Sequence, residues 1–397
     1  MKQLRFLVTG MVLVLSLGIV ISPPVLAASP IKVGLLVPLS GAYAREGEFI
    51  RNGVILAFAQ AGKIDGREVQ VIVEDTEMKP EVGTTKARKL VERDKVNFTA
   101  GCYSSAVGLA VRDYADRYQV PHIYVAGSTA IEFITTKKSD WTRHGVYGGP
   151  SHGFGLPEFV VKDLGLKTVI SMAPDYAWGW SEAKFIKAGV ENAGGQVVQS
   201  MLTPFPTLDY SPYLAKLADA KVIYAEYAGA DAPRLIKQYR NLGIKMPLLG
   251  SAPLMPGMLE DAGLSAVGLY TAMVWYPVLK NPENLKFMEG YRKKFGTEPG
   301  LNAATAYSAT LACIYTLQKI GGKVENKRAF LDAWYTIKDL KTPLGNYSFE
   351  KSTHSPIQPV YIAKVIEEQG KPTYQIVKET PDARASAMLK MMGLFKE

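Results

Sequence analysis

The sequence predicts an α/β protein with two units of similar organisation, each a parallel sheet covered by helices. Short apolar runs alternate with longer segments whose apolar residues recur at helical spacing, beginning with 31–36 and 48–61. The alternation restarts after the Gly-Gly-Pro break at 148–150, and 397 residues are enough for about two domains. Hydrophobic residues make up 47% and charged residues 21%, which excludes a disordered chain and a multispan membrane protein.

The first series of elements extends from residue 31 to about residue 125. Strands are predicted where apolar residues run without interruption, at 31–36, 69–74, 96–100 and 120–125. Helices are predicted where apolar residues recur every three or four positions, at 48–61, 80–93 and 104–118. Such strand–helix units in succession are typical of a parallel sheet with helices on both faces.

The second series repeats this order from residue 167 onward. Its strands are expected at 167–172, 196–202, 221–226, 247–250 and 269–275. Helices are expected at 180–193, 230–242, 282–295, 303–320 and 327–337. The chain then returns to strands at 347–349, 359–366 and 373–377. Because ligands of parallel sheets bind outside the carboxyl ends of the strands, the turns after these strands are the candidate binding segments.

Residues 1–27 predict a secretory signal peptide cleaved near Ala27. A positively charged start, an apolar stretch at 6–21 and small residues before the cleavage position support this interpretation. An uncleaved membrane anchor is the alternative, but the apolar run is short for a bilayer span and ends in two prolines. We therefore expect an exported protein of the bacterial periplasm.

The charge of the chain excludes a nucleic-acid partner and fits a small anion. The formal charge is +9, and two positive charges belong to the first 28 residues, so +7 remains. Basic residues are scattered and form no one-sided stripe. The two cysteines, Cys102 and Cys313, are far apart in the chain and imply no disulfide framework.

Motifs for catalysis and for cofactors are missing from the sequence. No Gly-x-Gly-x-x-Gly follows the first strand and no phosphate loop is present, so we expect no cofactor. None of the four histidines lies at metal-ligand spacing from another His or Cys, which predicts structural or surface roles for them and no metal. The segment 101–105 lacks the last glycine of a serine nucleophile elbow. A binding protein is therefore favoured over an enzyme.

Several short motifs occur in an order that is typical of one family. They are VPLSG at 37–41, NG at 52–53, ED at 74–75, GCYSS at 101–105, GST at 127–129, RNLG at 240–243 and the segment 303–307. With them the sequence resembles the type I periplasmic solute-binding proteins of ABC importers, in the leucine/isoleucine/valine-binding family. The resemblance implies two Rossmann-like lobes joined by a three-crossover hinge that close around a small ligand.

The resemblance also implies lobe boundaries and partners. Lobe one comprises 29–148 plus 278–342, and lobe two comprises 149–277 plus 343–397. The expected partners are a small carboxylate ligand and the membrane subunits of the importer, and the protein itself is expected to be a monomer. The disulfide of the family is missing, because Met78 and Tyr103 occupy the aligned positions.

In this family, turns of the first lobe hold a carboxylate of the ligand. By position, these turns are Ser104-Ser105 and Gly127-Ser128-Thr129. The physical argument agrees, because a helix that begins at Ser104 or Ser105 presents free backbone N–H groups and the positive end of its dipole. A plain helix cap is the alternative role for Ser104.

Two departures from the family pattern bear on the ligand. Ala252 aligns with the glutamate that pairs with the ammonium group of amino-acid ligands, and a buried ammonium without such a partner is costly. The turn at 174–180 is unusually aromatic, with Tyr176, Trp178 and Trp180. Further candidates in neighbouring turns are Tyr43, Tyr103, Tyr227 and, as a lid side chain, Arg45.

These features favour a carboxylate that has no ammonium group and has a planar apolar body, such as a benzoate-like or hydroxycinnamate-like acid. Packing of the aromatic side chains within the lobe is the alternative role for the tyrosines and tryptophans. Alternative functions are binding of a branched-chain amino acid or an amide, an exported hydrolase that uses Ser104 or Ser105, and a sensor domain.

Overall fold

Two sheets organise the chain in the computed structural model, which describes residues 29–147 and 149–395. The predicted signal peptide and its cleavage position lie outside this range. The first sheet is entirely parallel and consists of β1 Ile31–Val37, β2 Val69–Asp75, β3 Phe98–Gly101, β4 His122–Tyr124 and β5 Thr142–His144. Its strand order is β2-β1-β3-β4-β5.

The second sheet combines a parallel part with antiparallel strands at one side. Its parallel strands are β6 Thr168–Pro174, β7 Gln196–Thr203, β8 Val222–Ala225, β9 Leu248–Leu249 and β10 Tyr270–Met273. The antiparallel strands are β11 Leu340–Thr342, β12 Gly345–Glu350, β13 Ser355–Glu368 and β14 Lys371–Arg384. The parallel part has the order β7-β6-β8-β9-β10, which repeats the winding of the first sheet. The predicted α/β class with two similar units is thus confirmed.

Helices connect the strands and cover the sheets. They are α1 Ala44–Ala61, α2 Pro80–Arg88, α3 Ser105–Tyr118, α4 Leu156–Glu158, α5 Ala177–Asn192, α6 Ser211–Leu214, α7 Asp231–Asn241, α8 Leu259–Ala262, α9 Pro282–Phe295, α10 Leu301–Lys319, α11 Lys327–Ala333 and α12 Ala385–Met391. Among the helices that the structure describes, none is both long and apolar enough to cross a bilayer.

Hydrophobic burial explains the strands at the centre of each sheet. Six of the seven residues of β1 are buried, which fits a strand covered by helices on both faces. At the sheet edge, β7 alternates exposed and partly buried residues, because one of its faces meets water. The core therefore lies between each sheet and its helices.

Local signals also fix the helix ends. Asn281 caps α9 by accepting a hydrogen bond from the Asn284 amide at 2.8 Å, and Pro282 occupies the first helical position. The helix ends at Gly296, which has a φ of 72°. These bounds match the predicted helix at 282–295.

The chain passes between the two sheets more than once. It leaves the first sheet after β5, forms β6 to β10, and then adds α9 and α10, of which α10 packs along α1 of the first half. It returns to the second sheet through β11, whose residues lie in the segment predicted for lobe one but pair with β12. The lobe boundaries themselves stay a prediction.

Candidate functional site

A cavity lies where the carboxyl ends of the two parallel sheets face each other. Its walls come from the segments after β3, β4 and β5 on one side and, on the other, from the segments after β6, β8 and β9 and the last residue of β10, with the start of α10 between them. Nine of the predicted site residues line it: Tyr103, Ser104, Ser105, Gly127, Ser128, Thr129, Tyr176, Trp178 and Ala252.

Three predicted site residues lie outside the cavity lining. The Tyr43 ring packs at an angle against the Tyr103 ring, with centroids 5.6 Å apart, and the Tyr43 hydroxyl donates to the Ala228 carbonyl at 3.3 Å. Arg45 forms an exposed ion pair with Asp261 at 2.7 Å. Tyr227 is buried, and its hydroxyl is hydrogen-bonded to the Thr203 hydroxyl at 3.0 Å.

The turn after β3 presents hydroxyl and amide groups at the start of α3. Ser104 is the N-cap residue, yet its side chain makes no capping hydrogen bond within the described part of the chain. The Ser105 hydroxyl accepts a hydrogen bond from the Ala130 amide at 3.1 Å. The Ser104 hydroxyl and the first-turn amides of this 14-residue helix are therefore available to an anion.

The turn after β4 is locked against this helix start. Ser128 donates its amide to the Tyr103 carbonyl at 2.8 Å and its hydroxyl to the Cys102 carbonyl. A Cβ on Gly127, whose φ is 57°, would lie 2.2 Å from the Tyr103 carbonyl oxygen. This close contact holds Thr129, which is 5% exposed, beside Ser104 at the cavity.

Aromatic side chains form the opposite wall. Tyr176 and Trp178 lie at the start of α5, with ring centroids 6.0 Å apart. Trp178 is buried and donates its indole N–H to Glu182 at 2.8 Å. Trp180, by contrast, is 47% exposed and donates to Asp175, so it takes no part in this wall.

The turn at Ala252 is held by a carboxylate from a different strand. Glu226, directly after β8, accepts hydrogen bonds from the amides of Ser251 at 2.8 Å and Ala252 at 2.9 Å. Burial raises the pKa of Glu226 to about 7. Its carboxyl group does not line the cavity, so Ala252 presents only backbone and methyl to a ligand.

His152 and Glu182 lie next to this carboxylate. One ligand atom from each of His152, Glu182 and Glu226 lies within 4.8 Å of the others, and all three side chains are buried. Burial, and then the neighbouring Glu226, raise the pKa of Glu182, while burial lowers the pKa of His152 to about 4. The sequence predicted no metal-ligating set, because these residues are 30 and 44 positions apart and no local spacing reveals them.

A third buried carboxyl group supports the side of the cavity at α10. Glu46 accepts a hydrogen bond from the Asn302 side chain, and Asn302 lines the cavity. Burial raises the pKa of Glu46 to about 7. It does not itself reach the cavity surface.

Sequence reasoning missed several wall residues. They are Tyr147, His152, Ala228, Met255, Met273, Leu301 and Asn302. Ala228 lies in a segment after a predicted strand, and that signal could have revealed it. His152 and Asn302 follow no predicted strand, and no local pattern singles them out. His152 was expected to be structural or on the surface, and the structure places it in the cavity wall.

The sequence matches a family model over most of its length. Residues 30–371 match the model described as "Periplasmic binding protein". The chain belongs to the periplasmic binding protein family. This membership confirms the resemblance inferred from the short motifs and implies a periplasmic location.

Relatives and solved structures agree with this assignment. "Leu/Ile/Val-binding protein homolog 6" of Brucella melitensis is 26% identical, with 85% of this chain and 88% of that protein covered. An ABC transporter substrate-binding protein from Sphaerobacter thermophilus is 29% identical, with a TM-score of 0.84 and 89% and 99% coverage. A solute-binding protein of an ABC transporter from R. palustris in complex with benzoate is 25% identical, with a TM-score of 0.81 and 89% and 99% coverage.

This periplasmic binding protein is therefore an ABC transporter substrate-binding protein of the Leu/Ile/Val-binding family. Proteins of this class bind a small molecule and interact with the membrane subunits of their transporter. Its relatives and structural neighbours are transport substrate-binding proteins.

Proposed function

We propose that this substrate-binding protein captures a small aromatic carboxylate, of the benzoate or hydroxycinnamate kind, by closure of two lobes around it. One observation carries the proposal: the cavity has a wall of hydroxyl and amide donors at Ser104 and Thr129 and, facing it, a wall of aromatic rings at Tyr176 and Trp178. A flat molecule with one anionic end matches both walls.

The donor wall fits the carboxylate. The N-terminal amides of α3 carry a partial positive charge, and the Ser104 hydroxyl is not used for capping in the described chain. Among the residues that the structure describes, the cavity lining contains no Lys or Arg, so the anion would be held by neutral donors, as at other helix N-termini.

The aromatic wall fits the planar body. Rings that are buried on one side and face a cavity on the other bind flat apolar groups by stacking or edge contact. The R. palustris relative in complex with benzoate gives this interpretation independent support.

A branched-chain amino acid is the second candidate, because relatives are named as Leu/Ile/Val-binding protein homologues. Against it, Ala252 stands where the resemblance expects a glutamate, and the carboxyl groups of Glu182 and Glu226 do not line the cavity. An ammonium group would thus lose its hydration without meeting a carboxylate.

We assign residues 29–148 with 278–342 to lobe one and 149–277 with 343–397 to lobe two. The donor wall then belongs to lobe one and the aromatic wall to lobe two. Closure would place both walls in contact with one ligand, and the membrane subunits would then bind the closed form. We take the protein to act as a monomer.

Isothermal titration calorimetry with benzoate, 4-hydroxybenzoate, coumarate and leucine tests the ligand class. We expect micromolar or tighter binding of at least one aromatic acid and no heat with leucine. Tight leucine binding without any response to the aromatic acids would contradict the proposal.

Paired variants test the donor wall. Ser104→Ala and Thr129→Val each remove a hydroxyl while keeping most of the side-chain volume. We expect each to weaken binding of the acid about 10- to 100-fold, because a hydrogen bond to a charged group contributes about 1.5–3 kcal/mol. Ser200→Ala is the control, because Ser200 is exposed on the edge strand β7. Unchanged affinity in both donor variants would exclude this wall as the carboxylate site.

A further inference from the structure

The strongest feature outside the proposed ligand contacts is the cluster of His152, Glu182 and Glu226 in the second half of the molecule. These side chains come from three separate segments: the connection before α4, the second turn of α5, and the residue after β8. The three side chains are at most 3% exposed, and Nε2 of His152 is 3.7 Å from Oε1 of Glu182. No Lys or Arg in residues 29–147 and 149–395 forms an ion pair with either carboxyl group.

Charge balance requires a cation or protons at this place. Two carboxylates that are buried side by side repel each other and lose their hydration, so the ionised pair is unfavourable alone. A divalent metal ion with two carboxylates and a neutral imidazole gives a cluster of zero net charge. The same ion would also bind donor atoms of the cluster that form no hydrogen bond within the residues that the structure describes.

Buried polar atoms without a hydrogen-bond partner are concentrated around the cluster, among the residues that the structure describes. Within the chain that the structure describes, Oε2 of Glu182 and Nδ1 of His152 are buried and have no hydrogen-bond partner. The same holds for the hydroxyls of Ser251 and Tyr224. A Cβ added to Gly153, the neighbour of His152, would lie 2.7 Å from the Ser251 hydroxyl and 3.5 Å from the Tyr224 hydroxyl. Buried polar atoms need a partner, and several of them without a protein partner around one point are suited to surround a bound ion.

Hydrogen bonds from residues outside the cluster also fix the orientation of the Glu182 and Glu226 carboxyl groups. The Trp178 indole donates to Glu182 at 2.8 Å, and the amides of Ser251 and Ala252 donate to Glu226 at 2.8 and 2.9 Å. Outer hydrogen bonds of this kind fix metal-ligating carboxylates in place. Each carboxylate oxygen that accepts one hydrogen bond retains a second lone pair for an ion.

We propose that His152, Glu182 and Glu226 bind one divalent transition-metal ion, with Zn²⁺ the best match to one imidazole and two carboxylates. Zn²⁺ holds such ligands at about 2.0–2.2 Å, so the donor atoms, now within 4.8 Å of each other, need to move by only about 1 Å. Mg²⁺ and Ca²⁺ prefer all-oxygen ligands and fit this set less well. Since His152 lines the cavity, the ion would stiffen the wall against which the ligand lies.

Calorimetric titration of the tag-free, EDTA-treated protein with zinc chloride tests the site, in the absence of any aromatic acid. We expect one equivalent of Zn²⁺ per chain, at least 10-fold tighter than Mg²⁺ or Ca²⁺, and a higher melting temperature in Zn²⁺. Because no organic ligand is present, this result is independent of the proposed aromatic substrate. Absence of a stoichiometric Zn²⁺ site in the native protein would overturn the proposal.

Variants locate the ion. Glu182→Gln and Glu226→Gln keep side-chain shape, and we expect each to weaken Zn²⁺ binding at least 100-fold, while Trp178→Phe weakens it 10- to 100-fold. Glu158→Gln, an exposed carboxylate of the same half, should leave binding unchanged. If a Gln variant fails to fold, His152→Gln provides the same test from another segment. Zn²⁺ binding that persists in the folded cluster variants would place the ion elsewhere and reject the site.

Discussion

A hydroxyl at the start of a helix usually caps it, and Ser104 departs from that use. Its backbone has the extended conformation of an N-cap, but its side chain makes no capping bond in the described structure. In contrast, the hydroxyls of Ser128 and Ser105 form hydrogen bonds with the Cys102 carbonyl and the Ala130 amide, respectively. All three serines line the cavity, but only the Ser104 hydroxyl makes no hydrogen bond within the residues that the structure describes, which leaves it available to a ligand.

The buried carboxyl group of Glu46 makes protein stability depend on pH. The pKa is raised from 4.5 to about 7 by burial, against the opposing effects of Asn302 and then Arg45, while Asp261 and Glu260 raise it further. Because the folded state prefers the protonated form, this group costs stability as the pH rises through 7.

Glu46→Gln should therefore stabilise the protein at high pH and change little at low pH. From the raised pKa we expect a gain of about 3 kcal/mol in the free energy of unfolding at pH 8 and less than about 1 kcal/mol at pH 5. Urea denaturation at the two pH values measures the difference. An equal effect at both would show that Glu46 is ionised in the folded protein.

At the element scale, close packing of helix starts on strand ends shapes the cavity. α5 begins directly after β6, and a Cβ on Gly179 would lie 1.8 Å from the Pro174 carbonyl oxygen. Only glycine lets the first turn of α5, which carries Trp178, approach the strand this closely.

Gly179→Ala should push the first turn of α5 away from β6. We expect a loss of about 1–3 kcal/mol in the free energy of unfolding, as for other overpacked positions. Affinity for the aromatic acid should also fall, because Trp178 moves with the turn. Chemical denaturation and calorimetry measure these effects, with Lys187→Ala, an exposed position on the same helix, as the control. A stable variant with unchanged affinity would show that the helix start is not constrained.

Sequence patterns predicted most elements because hydrophobic burial is what they record. The run in β1 and the spacing in α9 are nearly complete signals, and their bounds agree with the structure. The short strand β5 and the helix α12 were missed, because β5 carries Thr-Arg-His rather than an apolar run. The turns after strands predicted most of the cavity wall. Clusters such as Glu182 with Glu226 could not be predicted, since only the register of distant strands and helices brings them together.

At the scale of the whole molecule, hydrogen bonds and an ion pair join the part of the chain that forms the first sheet to the part that forms the second. Tyr43 donates to the Ala228 carbonyl, and Arg45 of α1 pairs with Asp261 of α8. The Ser181 hydroxyl on α5 also accepts from the Ile131 amide at 3.0 Å. These contacts link the two parts of the chain in the structure in which the donor wall and the aromatic wall face each other.

Arg45→Ala should weaken ligand binding slightly and only at low salt. Both partners of the pair are about half exposed, so solvent screens their attraction and the pair is worth less than about 1 kcal/mol. We expect up to about 5-fold lower affinity in low salt and no difference in 0.5 M NaCl, where screening is strong, measured by calorimetry. A large loss that persists in high salt would mean that Arg45 contacts the ligand directly.

A crystal structure of the protein grown with 4-hydroxybenzoate tests the central claim most directly. The account predicts the carboxylate within hydrogen-bond distance of the Ser104 hydroxyl, the first amides of α3 and Thr129, and the ring against Tyr176 and Trp178. A cavity without the acid, or an acid whose carboxylate points away from Ser104 and Thr129, would contradict it.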